Sequence, residues 1–126
     1  MAFAGITSVT VNGSAADNDT LTIDVSGGNP LPPGGIAFNG GAGGQDSLTV
    51  TGGTTTTVTH TFTNANDGSI TLAGALAGTI SYTGLEPVTD NLSATDRVFT
   101  FTGGAETITV TDNVAADGKT MIDSTL

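Results

Sequence analysis

The side chains with most chemical potential are acidic and short. Asp17-Asn18-Asp19 is followed by Thr20-Leu21, and Asp46 is followed by Ser47-Leu48. Asp is a hard-oxygen ligand of the kind calcium loops use, and Gly in the preceding turn can present carbonyls in positive-φ conformations. Asp17, Asp19 and Asp46 are therefore the candidate calcium ligands. The competing reading is a Gly-rich turn closed by Asp bonding to backbone N–H groups. His60 is the single histidine and Arg97 the single arginine, and there is no cysteine. No second His or Cys exists to complete a zinc site or a nucleophilic dyad, so His60 is expected to be a partly buried residue bonded to backbone. Glu86 and Glu106 could act as paired glycosidase carboxylates. However, Tyr82 is the only tyrosine and there is no tryptophan, so a sugar platform is missing and no catalytic activity is expected.

Charge narrows the partners. Twelve acids face two bases, for a formal net charge of −10 over 126 residues, and ten of those acids are Asp. Nucleic acid and anionic membrane surfaces are repelled by such a chain, because binding them needs Lys and Arg to replace counterions. No apolar run approaches the ~18–20 residues that cross a bilayer, so membrane insertion is not expected. The first residues carry neither a basic nor an apolar leader region, so no signal peptide is visible. The chain reads as one all-β module over residues 1–126, cut from a longer repetitive polypeptide.

The elements that must position these residues are strands. Period-2 alternation with β-branched residues predicts strands at 6–11, 20–25, 35–38, 47–51, 57–63, 69–72, 79–82, 97–102, 107–111 and 120–123. Turn signals lie between them, including Asn12-Gly13, Asn39-Gly40-Gly41, Gly52-Gly53, Gly103-Gly104 and Asp117-Gly118. Ala73–Gly78 is the one segment with any helical pattern, and its glycines argue against a helix. Aromatic residues are scarce and strands short. Asp recurs before apolar alternation at Asp19, Asp46, Asp67 and Asp96, at irregular spacing. A parallel β-solenoid (β-helix) is the preferred architecture on these grounds, with an antiparallel β-sandwich as the alternative. The expected core is Leu21, Ile23, Leu48, Val50, Ile70, Leu72, Ile80, Tyr82, Val98, Phe99, Phe101, Ile108, Val110 and Ile122.

Some phrases resemble known families. Gly40-Gly41-Ala42-Gly43-Gly44-Gln45-Asp46-Ser47-Leu48 resembles the glycine-aspartate nonapeptide of RTX-type calcium β-rolls, with one extra residue before Asp46. Ile80-Ser81-Tyr82-Thr83-Gly84-Leu85-Glu86-Pro87-Val88 and Phe101-Thr102-Gly103-Gly104-Ala105-Glu106-Thr107-Ile108 resemble repeats of very large planctomycete and cyanobacterial surface proteins. Those proteins are called adhesin-like and are partly RTX-like. The resemblance implies an extracellular or cell-surface setting, with Ile80, Tyr82 and Leu85 facing inward.

Function is then expected to be structural: a stalk or spacer, or a self-associating filament unit, with neighbouring repeats or further copies as partners. A calcium-dependent adhesin or binding module is the alternative. A third reading comes from Thr-x-Thr pairs such as Thr20/Thr22 and Thr59/Thr61, whose hydroxyls share a strand face and resemble the Thr arrays of ice-binding solenoids.

Overall fold

The computed structural model describes residues 5–85, 87–111 and 121–125. Among the described residues nine strands carry the fold: β1 (Val9–Asn12), β2 (Thr20–Asp24), β3 (Ile36–Asn39), β4 (Ser47–Phe62), β5 (Gly68–Ala73), β6 (Gly78–Thr83), β7 (Val88–Phe101), β8 (Ile108–Thr111) and β9 (Met121–Ser124). The protein is all-β, with no helix among the described residues. Ala73–Gly78 accordingly forms a strand end and a bend. The Thr120–Asp123 expectation is met by β9 except at Thr120, which lies outside the described residues together with the Asp117-Gly118 turn.

Seven strands form one curled, open, mixed sheet in the order β1-β3-β6-β5-β4-β2, with β7 also on β4. β8 and β9 pair separately as an antiparallel hairpin. Two parallel layers lie inside the large sheet. β1, β3 and β6 align Val9, Ile36 and Ile80, while β2, β4 and β7 align Leu21, Leu48 and Val88. The first coil (β1, turn, β2) therefore stacks on the second (β3, turn, start of β4) with every residue 27 positions from its neighbour. From β3 to β6 the offset grows to 44, because the end of β4 and β5 intervene as an antiparallel excursion. Asp67 lies within that insertion, directly before β5, and so falls off the 27-residue spacing of Asp19 and Asp46.

Inward-pointing residues alternate along each strand. Phe38, Leu48, Val50, Val58, Ile70 and Ile80 are fully buried, and Leu31, Leu76 and Leu85 from loops and Leu92 from within β7 join the same cluster. Burying such a side chain stabilises by roughly 1.5–3 kcal/mol, so one core shared by the parallel pairs and the antiparallel β4–β5–β6 segment supplies the cohesion. Leu85 is buried with Ile80 and Tyr82, as the resemblance of that phrase implies.

Three expectations need correcting. Gly52-Gly53 is not a turn: β4 runs through it, and the β4–β7 register shifts between Thr51 and Thr54, so the glycines absorb a bulge within a long strand. Residues 88–96 belong to β7, although they lack a run of large apolar side chains. Val98, Ile108 and Val110 are exposed, Val110 at 63%: among the described residues β8 and β9 pair only with each other, and Val98 alternates with the half-buried Phe99 along β7.

Candidate functional site

Titratable side chains converge at a corner of the sheet beside the register shift between β4 and β7. Val58, His60 and Phe62 share the inner face of β4, and the parallel register sets His60 beside Phe99 and Phe62 beside Phe101. Their rings stack in pairs, His60 on Phe99 with centroids 5.3 Å apart and Phe62 on Phe101 at 5.0 Å. From β7, the strand of Phe99 and Phe101, Asp90 reaches His60. Its Oδ2 accepts hydrogen bonds from His60 Nε2 at 3.2 Å and Arg97 Nε at 3.1 Å, and its Oδ1 accepts the Leu92 N–H at 2.9 Å. Arg97 in turn donates to the Leu92 carbonyl.

The cluster has a backbone purpose. Asn91 pairs with Thr51 and Ser93 with Thr54, so the register shift leaves Leu92 without a cross-strand partner. A buried amide left alone is costly, and Leu92 is buried. Asp90 takes its N–H and Arg97 its carbonyl. Asp90 and His60 side chains are each 8% exposed, against 36% for Arg97.

Burial pushes the Asp90 carboxyl up, but the bonds from His60, Leu92 N–H and Arg97, with the guanidinium charge, outweigh it and hold the group at about 2. Such a carboxylate is ionised throughout the neutral range and a poor proton donor or acceptor there. Its oxygens are also already committed. The only histidine and the only arginine of the chain both close this corner, so the arrangement holds structure and is badly set for acid–base chemistry. An open groove of about 280 Å³ runs alongside, lined by Phe62, Phe99, Phe101 and Ile122 among others.

Of the candidate calcium ligands, Asp17 and Asp19 meet at Ser14. The Ser14 hydroxyl bonds to Asp17 Oδ2 at 3.3 Å and to Asp19 Oδ2 at 3.1 Å, and the Ser14 N–H donates to Asp19 Oδ2 at 2.6 Å. Asp46 lies one coil on and is buried, with Oδ1 accepting the Asp19 N–H at 2.8 Å. Asn18 Oδ1 accepts the Gln45 N–H at 2.8 Å in the reciprocal direction. These residues clasp two coils together. Among the described residues no three His, Cys, Asp or Glu side chains converge to hold a metal ion.

A comparable device closes the excursion. Asp67 accepts the Gly84 N–H at 2.9 Å and the Asn64 side chain at 2.7 Å, and Asn64 first, then Gly84, lowers its pKa. Burial, and secondarily Asp67, raises that of Tyr82, whose buried hydroxyl has no hydrogen-bond partner among the described residues. Of the Glu86–Glu106 carboxylate pair, Glu86 lies outside the described residues, and Glu106 accepts the Ser124 hydroxyl at 3.0 Å.

The role of Asp90 is the part that residue patterns missed, and His60 is bonded to this carboxylate where backbone was expected. The available signal was the presence of one His and one Arg near a Thr-Asp-Asn segment in a chain almost without bases. Comparison with protein families, with curated proteins and with solved structures finds no match to this chain.

Proposed function

We propose that the chain is a non-enzymatic structural module, a short β-solenoid stack with an inserted hairpin, acting as a spacer in a bacterial extracellular surface protein. The observation that carries this reading is the in-register stacking of the first two coils. Their polar side chains are spent on one another: Asn39 donates to Asn12 at 2.6 Å, Thr20 and Ser47 hydroxyls lie 2.9 Å apart, and Thr83 continues the ladder by donating to Asn39 at 3.1 Å. Side chains engaged along the stack hold coils together and leave little free to select a ligand. The Asp90 corner supports the same reading, because its charges are consumed by one another and by Leu92.

The setting outside the cell rests on the resemblance of the Ile80–Val88 and Phe101–Ile108 phrases to repeats of large surface proteins. The Thr rows favour the spacer reading over ice binding. Rows such as Thr22-Thr49-Thr89 follow a curled sheet, and an ice lattice needs a flat one.

Thermal melting in the presence of a glycan panel, each with and without calcium, tests the proposal. A ligand at 100 times its dissociation constant adds about 2.7 kcal/mol, which a melting curve reads easily. The expected result is an unmoved transition throughout. A saturable, concentration-dependent rise with any member would replace the spacer with a binding module.

A further inference from the structure

We infer that the outer edge of the first coil is a docking edge for one further coil of the same 27-residue pattern, joined to the same polypeptide. This inference rests on the stacked-coil reading above.

Backbone geometry identifies the edge. Val9 N–H donates to Gly35 O at 3.1 Å and Gly13 N–H to Asn39 O at 2.7 Å, so the odd-numbered residues of β1 bond toward β3. In β2, Val25 N–H donates to Thr51 O at 2.9 Å and Asp19 O accepts Ser47 N–H at 2.8 Å, so its odd-numbered residues bond toward β4. Alternation along a strand then points the N–H and C=O groups of Thr10, Asn12, Thr20 and Thr22 the other way. Among the described residues β1 pairs only with β3 and β2 only with β4. Both strands of the coil thus present an unused row of donors and acceptors on the same side. Between them opens an apolar mouth of about 280 Å³ lined by Val9, Val11, Leu21, Ile23 and Ile36, among others.

The occupant follows from what the second coil already does to the first. Asn39 donates its amide to Asn12, Asp46 takes the Asp19 N–H, and Gln45 N–H is taken by Asn18. Asn12 and Asp19 stand one coil earlier at the positions of Asn39 and Asp46. With Asp19 Oδ2 held by Ser14, its Oδ1, the counterpart of the Asp46 oxygen that takes the Asp19 N–H, and the Asn12 side-chain amide are the groups offered to the open side. A segment that satisfies them needs a carbonyl-bearing side chain opposite Asn12, an amide N–H opposite Asp19, and a side-chain acceptor for the Asn18 N–H. It also needs apolar residues over Val9, Val11, Leu21 and Ile23. The Val9–Asp24 sequence itself has that set.

The far end of a second copy does not fit both strands. The edge of β6 that would receive β1 is occupied by β5, which leaves only the outer edge of β7 to offer. A head-to-tail contact between copies would therefore pair β2 and leave β1 open.

The test extends the whole chain by duplicating residues 9–35 immediately before Val9. The expected result is one cooperative transition at higher temperature. The amides of the original Thr10 and Thr22 should also exchange about 100-fold more slowly than in the unextended chain. Thr22→Pro removes an outward N–H while sparing the ladder to β4, a position where edge strands tolerate proline. In the unextended chain it should leave the melting temperature nearly unchanged, and in the extended chain it should abolish the gain. Unprotected Thr10 and Thr22 amides in the extended chain overturn the inference, as does assembly into oligomers without protection. Either failure would leave the ligand-panel result intact, so the spacer reading is judged separately.

Discussion

Asp46 reaches back 27 residues to accept the backbone N–H of Asp19 at 2.8 Å, from a position only 2% exposed. This bond joins the two coils at the turn where a metal-binding loop was the rival expectation. One residue earlier, Asn18 returns the contact by accepting the Gln45 N–H. The glycine-aspartate pattern here therefore serves coil-to-coil bonding, and its effects can be measured.

Replacing Asp46 by Ala leaves the Asp19 N–H without its partner. The expected loss is about 1–2 kcal/mol, seen as a melting temperature lower by several degrees. Asp46→Asn keeps an acceptor oxygen and should lose less than half as much. Urea melts of the three proteins check the order.

Glycines at the turns differ sharply in tolerance. A Cβ on Gly40 would lie 2.6 Å from the Gly84 carbonyl and 2.7 Å from Asp46 Cβ, whereas one on Gly27 meets nothing within 4 Å. Gly40→Ala is expected to cost about 1–3 kcal/mol through overpacking. Gly27→Ala should stay within about 0.5 kcal/mol of the parent. Equal effects at both sites would contradict the close packing of the second and third turns.

Acid should loosen the β7 corner. The Asp90 carboxyl is held at about 2 in the folded chain, below its ordinary value of 3.8. A depressed folded pKa adds stability that is complete above the unfolded value and disappears as pH falls through the folded one. Melting temperature should accordingly decline from about pH 5 toward pH 2. In Asp90→Asn the part of that slope due to this group is absent, and stability at neutral pH is lower by about 1–3 kcal/mol. A variant that keeps the full slope would assign it to other carboxylates.

Chelation offers the cheapest measurement. Asp17 and Asp19 are engaged by Ser14, and Asp46 by Asp19 N–H. Dialysis against a chelator is expected to leave the thermal transition where it was. A drop restored by added calcium would return Asp17, Asp19 and Asp46 to the role of ligands.

Local pattern determined the secondary structure and little of its arrangement. Alternating β-branched residues and Asn-Gly or Gly-Gly punctuation placed most strands within a few residues, and the inward faces of Leu48, Val50, Ile70 and Ile80 followed from period 2. Gly52-Gly53 misled, because two glycines permit a bulge as readily as a turn, and it is β7, paired with β4 on both sides of them, that accompanies β4 through the bulge. Val98, Ile108 and Val110 misled too, since alternation says which residues share a face but not whether a second layer covers it. Tertiary structure decided three further things. It paired coils 27 residues apart, inserted β5 antiparallel between β4 and β6, and brought Asp90, His60 and Arg97 to one corner. Each depends on strand partners distant in the chain, and a hydrogen bond across 27 or 30 residues leaves no local signature in either segment that makes it. The acidic turns stand at that boundary. Their residues were legible as ligands or as turn closures, and the register of the second coil on the first made Asp46 a clasp on Asp19.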